Sequence, residues 1–568
     1  MECKFVFSIR YNHVGYGVAL PKIFYVAAPV AAAVSGGTFC ILDEFGKVAQ
    51  EGSLGRRGEC GYTGETVFAG DFSSLAVPGK YRISVKVLGE GEITLFEGQT
   101  RHFEISDEWI RRQLKANIKS FYFQRSGVEL PLEYVGKWAR PAAHRDDALE
   151  FHPIMERGGV WNAHGGWYDA GDYGKYIVNG GVSVATLLLA CEMNHGDSDI
   201  LGGKSFRPSF ELPASLLDEV RFELEFFLRM QDEDGGVFFK VTPGHWDGFV
   251  TPTDSDVMQK RYIMGKSTTS TLNFAGALAQ AHRVFRAAGG HQNKSFAEKC
   301  LAASLRAYRW AVENPKADWP HNTEGSGGYG DEHFDDEFFW TRAMLYRELR
   351  EDAPLGGDPE TVLTEDMAKN PAEAGLSWRD TQNMGWIALA LNDDTAPAAV
   401  KLRERARAEI VRVADEILKL QGEDAYALSI RRFIWGSNGE IANHALTLLV
   451  AYSWTHDDRY RNGAVELLDF IYGRNPVDVS FVTGSAWSSP EHPHHRICHS
   501  DGVLEPFPGL LVGGINSDRQ DMHRKPQYPS DLPGFSYTDE RCSFASNETA
   551  INWNAPLTAV LAALSSSL

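Results

Sequence analysis

The chain has 568 residues, of which 43% are hydrophobic and 23% are charged, and its formal net charge at pH 7 is −20. These proportions are typical of a soluble globular protein, and the length predicts two or more domains unless one of them is a large repeat or barrel. Because the charge is negative and no dense basic patch is visible, the composition argues against a nucleic-acid partner. No apolar run reaches the length of a membrane span, so we expect no membrane partner.

The N-terminus and the cysteines bear on the cellular compartment. The opening MECKFVFSIRYNHVGYG lacks the long apolar core and the small-residue cleavage site of a secretory signal. The seven cysteines are scattered, without the spacing of metal ligands or of a disulfide framework; they are Cys3, Cys40, Cys60, Cys191, Cys300, Cys498 and Cys542. Such cysteine usage fits a reducing compartment. We therefore expect a cytoplasmic protein.

Residues 2 to about 106 predict short β-strands. Hydrophobic and polar residues alternate at 4–9, 22–26, 39–42 and 81–87, with turn residues at 44–46 and 78–79. Strands at this spacing over about one hundred residues are typical of immunoglobulin-like domains. We therefore predict an immunoglobulin-like β-sandwich over residues 1–106.

From Glu108 onward the hydrophobic period changes to that of helices. The stretch 212–236 has an early proline and ends on two glycines, which is the expected asymmetry of a helix. Further helical patterns lie at 109–125, 178–194, 267–290, 295–313, 333–350, 381–392, 398–420, 441–454, 459–473 and 548–566. Roughly a dozen helices without strand-helix alternation favour antiparallel helical hairpins. We predict that these helices close into an α/α barrel over residues 107–568.

Long loops inside a compact domain are usually functional, and three are predicted, at 131–175, 236–266 and 474–547. The first leads into GGWYDAGDYGKY, residues 165–176, which sets Asp169 and Asp172 three residues apart. Two carboxylates this close raise each other's pKa unless one is hydrogen-bonded as a carboxylate. The pair suits a general base and a partner that holds the same water. The alternative is an Asx-type turn between helices.

A second acidic candidate lies near the C-terminus, in SNETAINWNAP, residues 546–556. Glu548 stands at the start of the last predicted helix, where a glutamate often only complements the helix dipole. As a general acid it would need a raised pKa, which partial burial among aromatics such as Phe544 and Trp553 would supply.

Histidines cluster in SFVTGSAWSSPEHPHHR, residues 480–496. His492, His494 and His495 suggest a metal site at first sight, since imidazoles are common ligands. Arg496 and the prolines, however, place a cation and rigid turns where a carboxylate partner would be expected. The pattern therefore argues against a metal.

An acidic run lies in GGYGDEHFDDEFFW, residues 327–340. Such a run is either the solvated start of a helix or a set of oxygen ligands for a hard cation such as calcium. Its carboxylates are Asp331, Glu332, Asp335, Asp336 and Glu337.

Taken in this order, and with YNHVGY near the N-terminus, these strings resemble glycoside hydrolase family nine, the cellulase-type inverting hydrolases. The resemblance covers essentially the whole chain and implies an immunoglobulin-like domain followed by an (α/α)6 barrel of about twelve helices. It implies that Asp172 is the general base, that Asp169 orients the water and that Glu548 is the general acid. These roles predict single displacement with inversion.

The resemblance also implies residues that bind the sugar. His494 and Arg496 match a histidine and an arginine that bind sugar hydroxyls at the cleaved bond, and Asn547 precedes the acid as it does in the family. Where most relatives have a small turn and then a basic residue, this chain has Trp487 and then Glu491. We therefore expect Trp487, Glu491 and Asn547 to contribute to substrate binding.

Two metal sites of the family are altered in this chain. A structural calcium would be bound at Asp336, Glu337 and Asp380, but Arg379 stands where relatives commonly have a second acid. We expect no required cofactor beyond such a structural calcium. Relatives often bind zinc through two cysteines and two histidines, and we expect no zinc because the matching positions are Ser126, Ala143, His144 and Tyr168.

The substrate and the mode of cleavage are predicted from weaker signals. Without an export signal or a cellulose-binding module, the sequence favours an exo-acting enzyme on short, imported β-1,4-linked oligosaccharides. A carboxylate at Glu491 would pair with a 2-ammonium group, so we predict an exo-β-glucosaminidase. A β-glucosidase or an endo-β-1,4-glucanase acting on cello-oligosaccharides is the alternative. A carbohydrate-binding protein without activity is the alternative of another class, but it would be expected to lose an acid or a base.

Aromatic side chains would supply stacking surfaces for sugars, although core packing explains the same residues. The candidates are Trp167, Trp340, Trp378, Trp487 and Trp553.

Overall fold

The computed structural model describes residues 7–194, 198–202 and 206–566, so Cys3 and the start of the first predicted strand lie outside the described residues. The N-terminal strands are β1 (Ser8–Arg10), β2 (Gly15–Tyr16), β3 (Ile23–Pro29), β4 (Val34–Asp43), β5 (Val48–Ser53), β6 (Gly55–Cys60), β7 (Glu65–Asp71), β8 (Gly79–Gly89), β9 (Thr94–Gln99) and β10 (Phe103–Ile105). One sheet has the order β1-β3-β7-β6, and the other has the order β2-β10-β8-β4-β5 with β9 beside β8.

Alternating side chains along the strands build the core between the two sheets. In β8, Tyr81, Ile83, Val85 and Val87 are buried, while the residues between them are more exposed. These side chains pack with Phe24 of the facing sheet. Because each sheet buries one face, the apolar positions fix the register of the strands. The structure confirms the predicted β-sandwich.

The rest of the chain is mainly helical. The described residues contain twelve helices of nine residues or more: α1 (Glu108–Phe123), α2 (Ile177–Met193), α3 (Leu216–Met230), α4 (Thr268–Ala288), α5 (His291–Glu313), α6 (Asp335–Leu349), α7 (Pro359–Lys369), α8 (Gln382–Ala390), α9 (Pro397–Glu423), α10 (Ser437–Thr455), α11 (Asp458–Ile471) and α12 (Ile551–Ser566). The even-numbered helices form an inner ring, in which α2 packs on α4, α4 on α6, α6 on α8, and α12 on both α10 and α2. The odd-numbered helices lie outside, which confirms the predicted (α/α)6 barrel.

The sequence explains which helices lie inside. Every residue of α2 from Ile177 to Ala190 is buried, as expected for a helix that is apolar on all sides. In the outer helix α9, burial is confined to one stripe of residues spaced three or four apart, among them Leu402, Ala406 and Ile410. Helix α7 is not among the predicted helices, although Asp358 caps it by accepting from the Thr361 N–H at 3.0 Å.

A third, smaller sheet lies within the helical part, with the order β12-β11-β15-β14-β13. Its strands are β11 (Leu149–Phe151), β12 (Val160–Trp161), β13 (Lys175–Tyr176), β14 (Phe238–Pro243) and β15 (Arg261–Lys266). The segment 236–266, predicted as a single loop, thus contains two paired strands, with Lys240 opposite Met264. The prediction failed there because apolar and polar residues alternate over only four residues, Phe239 to Thr242, and the polar Lys240 and Thr242 are buried with the rest of β14.

The sandwich and the barrel are in direct contact. Asn12 Nδ2 donates to Asp469 Oδ1 of α11 at 2.8 Å, and the Tyr25 hydroxyl donates to Glu466 Oε2 at 3.1 Å. Strand β10 ends at Ile105 and α1 begins at Glu108. The division into domains near residue 106 remains our proposal.

No helix in the described ranges combines the length and the apolar character that crossing a membrane requires.

Candidate active site

The loop of residues 165–176 carries both predicted aspartates and ends in β13. Gly171 approaches the loop of residues 480–496 so closely that a Cβ atom on it would lie 2.0 Å from the His494 carbonyl oxygen. Only glycine permits this approach. In turn, the Gly171 carbonyl oxygen accepts from the Arg496 N–H at 2.9 Å. Two separate sequence motifs therefore meet at one place.

Asp169 is buried, with 2% of its surface exposed. Its Oδ1 accepts from Asn179 Nδ2 at 2.7 Å, and its Oδ2 accepts from the Tyr329 hydroxyl. Burial, and then the charge of Asp172, raise the pKa of Asp169 to about 7, against the effect of these two donors. Both oxygens of Asp169 are therefore fixed in position.

Asp172 lies close to Asp169 and is 7% exposed. The Gly174 N–H donates to its Oδ2 at 3.2 Å. Its charge raises the pKa of both Asp169 and Glu548. The two predicted aspartates and the predicted glutamate thus share one site, although Glu548 is far away in the sequence.

Glu548 lies in extended backbone ahead of α12, not in the first turn of a helix as predicted. Its backbone forms a bridge with His494, and its carbonyl oxygen accepts from the Gly513 N–H at 2.8 Å. These contacts hold Glu548 in the strand-like conformation and delay the start of α12 to Ile551.

The surroundings of the Glu548 carboxyl group favour its protonated form. Burial, and next the charge of Asp172, raise the pKa of Glu548 to about 8, although Arg496 and a hydrogen bond with Trp435 act in the opposite direction. Phe544 packs on Trp435, with 5.3 Å between the ring centroids. A carboxyl group with this pKa carries a proton near neutrality, as a general acid requires.

His494 and Arg496 lie beside these carboxyl groups. His494 Nδ1 is 2.6 Å from the Arg541 carbonyl oxygen, which can only accept, so Nδ1 carries the proton and Nε2 is an acceptor. Burial lowers the pKa of His494 to about 4, so the ring is neutral. Arg496 donates through Nε and Nη1 to the carbonyl oxygens of Asp247 and Gly171, each at 3.0 Å. The site therefore combines a neutral imidazole and a firmly held guanidinium.

The other clustered histidines have different surroundings. His495 is buried, where its Nε2 donates to Gln124 Oε1 at 3.0 Å and its Nδ1 accepts from the Cys498 N–H at 3.3 Å. His492 is exposed. Over residues 7–194, 198–202 and 206–566, no three His, Cys, Asp or Glu side chains are grouped so as to hold a metal ion.

Trp487, predicted to bind substrate, packs against the sandwich. The Arg101 guanidinium lies 4.4 Å from the centre of its ring, and its Nε1–H donates to the Tyr11 hydroxyl at 3.3 Å. The His13 ring lies 4.9 Å away. The indole nevertheless keeps 45% of its surface exposed, so a contribution of Trp487 to substrate binding stays a prediction.

Asn547 and Glu491 are the other two residues that we expected to contribute to substrate binding. Asn547 is fully buried, and its side chain donates to His492 O at 2.7 Å and to Asp539 Oδ1 at 2.9 Å while accepting from the Tyr537 hydroxyl at 2.9 Å. Glu491 binds Asp539 only through its backbone N–H, at 2.7 Å, and its side chain is exposed. Asn547 therefore supports the loop behind the site, and the Glu491 carboxylate faces solvent.

Two of the five predicted stacking tryptophans belong to the interior, and two more are partly buried. Trp167 and Trp340 are 1% and 0% exposed, and Trp378 and Trp553 are half-buried against the core. Core packing, the alternative weighed for these residues, accounts for them.

Two other tryptophans are exposed beside the catalytic groups. Trp246, between β14 and β15, is 56% exposed, and its ring centre lies 5.5 Å from the Arg496 guanidinium. Trp435 is 41% exposed and acts to lower the pKa of Glu548. The length of its loop was the one signal in the sequence for Trp246, and no signal pointed to Trp435. Tyr329, the donor to Asp169, lies within the stretch 327–340, which was singled out only for its carboxylates.

Asp336 and Glu337 lie in the first turn of α6. Asp336 Oδ2 accepts from the Thr381 N–H at 2.8 Å, whereas Asp336 Oδ1 and both Glu337 oxygens are buried without a donor among the described residues. Such oxygens fit a hard cation. Asp380, the third predicted ligand, is exposed and accepts from Ser377 Oγ at 3.0 Å. The predicted trio is thus only partly assembled.

The four positions that match the family's zinc ligands lie together. His144 Nδ1 is 2.7 Å from the Tyr168 hydroxyl, and Ser126 Oγ donates to the His144 carbonyl oxygen at 3.3 Å. The Ala143 carbonyl oxygen accepts from the Gly127 N–H at 2.9 Å. Hydrogen bonds among these residues therefore join the segments that contain them.

A buried ionic cluster adjoins these residues and supports the loop of the aspartates. Asp146 pairs with Lys175 Nζ at 2.8 Å and with Arg261 Nε at 2.9 Å. Lys175 also donates to the Gly165 carbonyl oxygen at 2.7 Å, and Arg261 donates to the Tyr173 carbonyl oxygen at 2.8 Å. The two cations thus hold the loop near both of its ends.

Comparison with known proteins agrees with this geometry. Residues 111–561 match the family model described as glycosyl hydrolase family 9, and residues 7–90 match the cellulase N-terminal ig-like domain. A xyloglucan-specific endo-beta-1,4-glucanase of Bacteroides ovatus is 35% identical over 521 residues, covering 87% of this chain and 83% of the relative.

Two further relatives are similar over nearly their full length. A cellodextrinase of Butyrivibrio fibrisolvens is 30% identical, covering 93% of this chain and 95% of the relative. The crystal structure of a metagenome-derived glycoside hydrolase family 9 endoglucanase superposes with a TM-score of 0.85 at 30% identity, covering 99% of both chains. With its sandwich, its barrel and its three carboxyl groups in one site, the chain belongs to glycoside hydrolase family nine.

Proposed function

We propose that this glycosidase hydrolyses β-1,4-linked glucans by single displacement with inversion. The observation that carries the proposal is that Asp172 and Glu548 share one site, in which burial and then the charge of Asp172 raise the pKa of Glu548 to about 8. An inverting hydrolase needs such a pair, in which one group takes a proton from water while the other gives a proton to the leaving oxygen.

Each residue of the site has a distinct part in this reaction. Asp172 draws the proton from the water, and Asp169, fixed by Asn179 and Tyr329, holds that water in line with the anomeric carbon. Glu548 protonates the glycosidic oxygen. The neutral His494 accepts a hydrogen bond from a sugar hydroxyl.

Arg496 and the exposed aromatics would bind the rest of the sugar. The Arg496 guanidinium donates to sugar hydroxyls while its carbonyl contacts keep it in place. Trp246 and Trp435 offer flat apolar faces on which pyranose rings stack.

Glucan is the better supported substrate class. Three relatives that each match most of this chain are named for xyloglucan, cellodextrins and cellulose. Selectivity for glucosamine was expected from Glu491, but that side chain is exposed and, among the described residues, its only hydrogen bond is made through its backbone N–H to Asp539, so little supports this expectation. We therefore propose endo-type cleavage of β-1,4-glucan chains in place of exo-β-glucosaminidase activity.

The experiment compares three substrates under the same conditions: cellohexaose, a xyloglucan oligosaccharide and a chitosan hexamer. We expect kcat/KM to be highest on one of the two glucans, with products that result from cleavage at internal bonds. Proton NMR of a fresh digest should show the α-anomer first. Asp172→Asn is the inactive control, in which added azide should restore some turnover. Preference for the chitosan hexamer would overturn the substrate class, and initial β-anomer would overturn the mechanism.

A further inference from the structure

Lys240 lies at the centre of β14 and is fully buried. Its ammonium donates to the carbonyl oxygens of Asn322 and Gly327, at 2.6 and 2.9 Å, and to Ser326 Oγ at 3.4 Å. All three acceptors belong to one segment, the loop of residues 322–330. An ammonium group has three donors and no acceptor, so this arrangement uses all of them.

The same loop is held against the sheet at further points. Ser326 Oγ accepts from the Tyr176 hydroxyl at 2.6 Å and lies 2.7 Å from Thr242 Oγ1. Gly325 approaches β14 so closely that a Cβ atom on it would lie 2.2 Å from the Pro243 carbonyl oxygen. The loop thus rests on strands β13 and β14.

Tyr329, near the end of this loop, reaches the catalytic groups. Its hydroxyl donates to Asp169 Oδ2, and its ring packs on Tyr176 and Trp378, at 5.0 and 5.1 Å between centroids. A shift of the loop would therefore move the donor of one of the two aspartates.

Burial of a charge without a carboxylate among its hydrogen-bond partners is costly. Burial lowers the pKa of Lys240 to about 7, although the charges of Asp172 and Glu324 favour the ammonium. A neutral residue would fill the same space without that cost, but it would leave the loop carbonyls without a donor.

We propose that Lys240 is a positioning residue for hydrolysis, whose ammonium fixes the loop of residues 322–330 and so keeps the Tyr329 hydroxyl on Asp169. This inference rests on the proposed function, because it assumes that Asp169 orients the water. Lys240 acts through Tyr329 and need not touch the substrate.

The first test is a double-mutant cycle on cellohexaose hydrolysis with Lys240→Met and Tyr329→Phe. A small displacement of a catalytic group costs about 100-fold in rate, so we expect each single variant to lower kcat about 10- to 100-fold with little change in KM. The double variant should lose little more than either single variant, because both changes break the same chain of contacts. Lys266→Met on the adjacent strand is the control, since Lys266 pairs with Asp232 and Asp234 away from this loop.

The second test measures hydrogen exchange of peptides that span residues 322–330. We expect faster exchange there in Lys240→Met than in the native protein, and no change in Lys266→Met. If Lys240→Met does not fold, Ser326→Ala takes its place, since it removes one acceptor of Lys240 and the acceptor of Tyr176.

Unchanged exchange in the loop, or losses in kcat that multiply in the double variant, would refute the positioning role. The exchange measurement needs no substrate, so it separates this inference from the proposed function. Inactivity of the native enzyme on all three substrates would count against the proposed function, whatever the loop does.

Discussion

Burial sets the chemistry of Glu548 more than its neighbours along the chain do. The carboxyl group lies between Asp172 and Arg496, whose charges have opposite effects, and burial raises its pKa to about 8. The backbone bridge to His494 fixes its position, so the proton is presented from a defined direction. These features make Glu548 the proposed acid.

The loss of rate on replacement of Glu548 should depend on the leaving group of the substrate. We expect Glu548→Gln to keep the fold and to lower kcat about 100- to 10,000-fold on cellohexaose, the usual contribution of a general acid. The loss should be much smaller on an aryl cellobioside, because a good leaving group needs little protonation. Steady-state rates on both substrates provide the measurement. An equal loss on both would mean that another residue is the acid.

The pH dependence of the native enzyme should report the same group. Because Glu548 acts in its protonated form, kcat/KM should decline as pH rises through about 8 and fall about tenfold per further unit. The control is Glu548→Gln assayed on the aryl cellobioside, in which this alkaline limb should be absent. If the limb persists in the variant, it belongs to another group, of which Lys240 is the first candidate, because burial lowers its pKa to about 7 and its ammonium is lost as pH rises.

At the scale of elements, the loop of residues 165–176 depends on the ionic cluster beneath it. Although burial opposes ionisation, the charges of Arg261 and Lys175 lower the pKa of Asp146 to about 2. The folded pKa is below the usual value of 3.8, so ionised Asp146 stabilises the fold above pH 3.8. That stabilisation is lost as pH falls through about 2.

Removal of this charge should destabilise the protein. We expect Asp146→Asn to lower the free energy of unfolding at pH 7 by about 3–5 kcal/mol, because Lys175 and Arg261 would remain buried without their partner. Urea unfolding at pH 7 and pH 3 provides the measurement, and the difference from native should shrink at the lower pH. Asp147→Asn is the matched control, since that side chain is 56% exposed. Equal stability of both variants would contradict the role given to the cluster.

At the scale of the whole molecule, cation binding near α6 should affect stability and leave turnover unchanged. Asp336 and Glu337 offer buried oxygens without donors, so we expect a calcium chelator to lower Tm modestly while kcat is maintained. Thermal melts and assays with and without chelator provide the measurement. Glu337→Gln should abolish the shift in Tm. Loss of activity that zinc alone restores would contradict our alignment of Ser126 and Tyr168 with the zinc positions.

The overall architecture could be predicted because it depends on repeating patterns. The period of the apolar residues separated the sandwich from the barrel. Which helices lie inside was not predicted; the structure shows it in the uniform burial of α2 and the single buried stripe of α9. Prediction failed for β14, where the alternation covers only four residues, Phe239 to Thr242, and its polar side chains are buried. The cytoplasmic location stays a prediction.

The sequence by itself determined the family, the two architectures and the three carboxyl groups. Short motifs such as GGWYDAGDYGKY identify the family and the carboxyl groups, and the hydrophobic periods identify the sandwich and the barrel. Only the tertiary structure decided which other side chains join the site. It brought Tyr329, Trp246 and Trp435 to the carboxyl groups, and it put Trp487 against the sandwich. The physical reason is that hydrogen bonds and stacking depend on contacts between distant segments, which adjacency in the sequence does not encode.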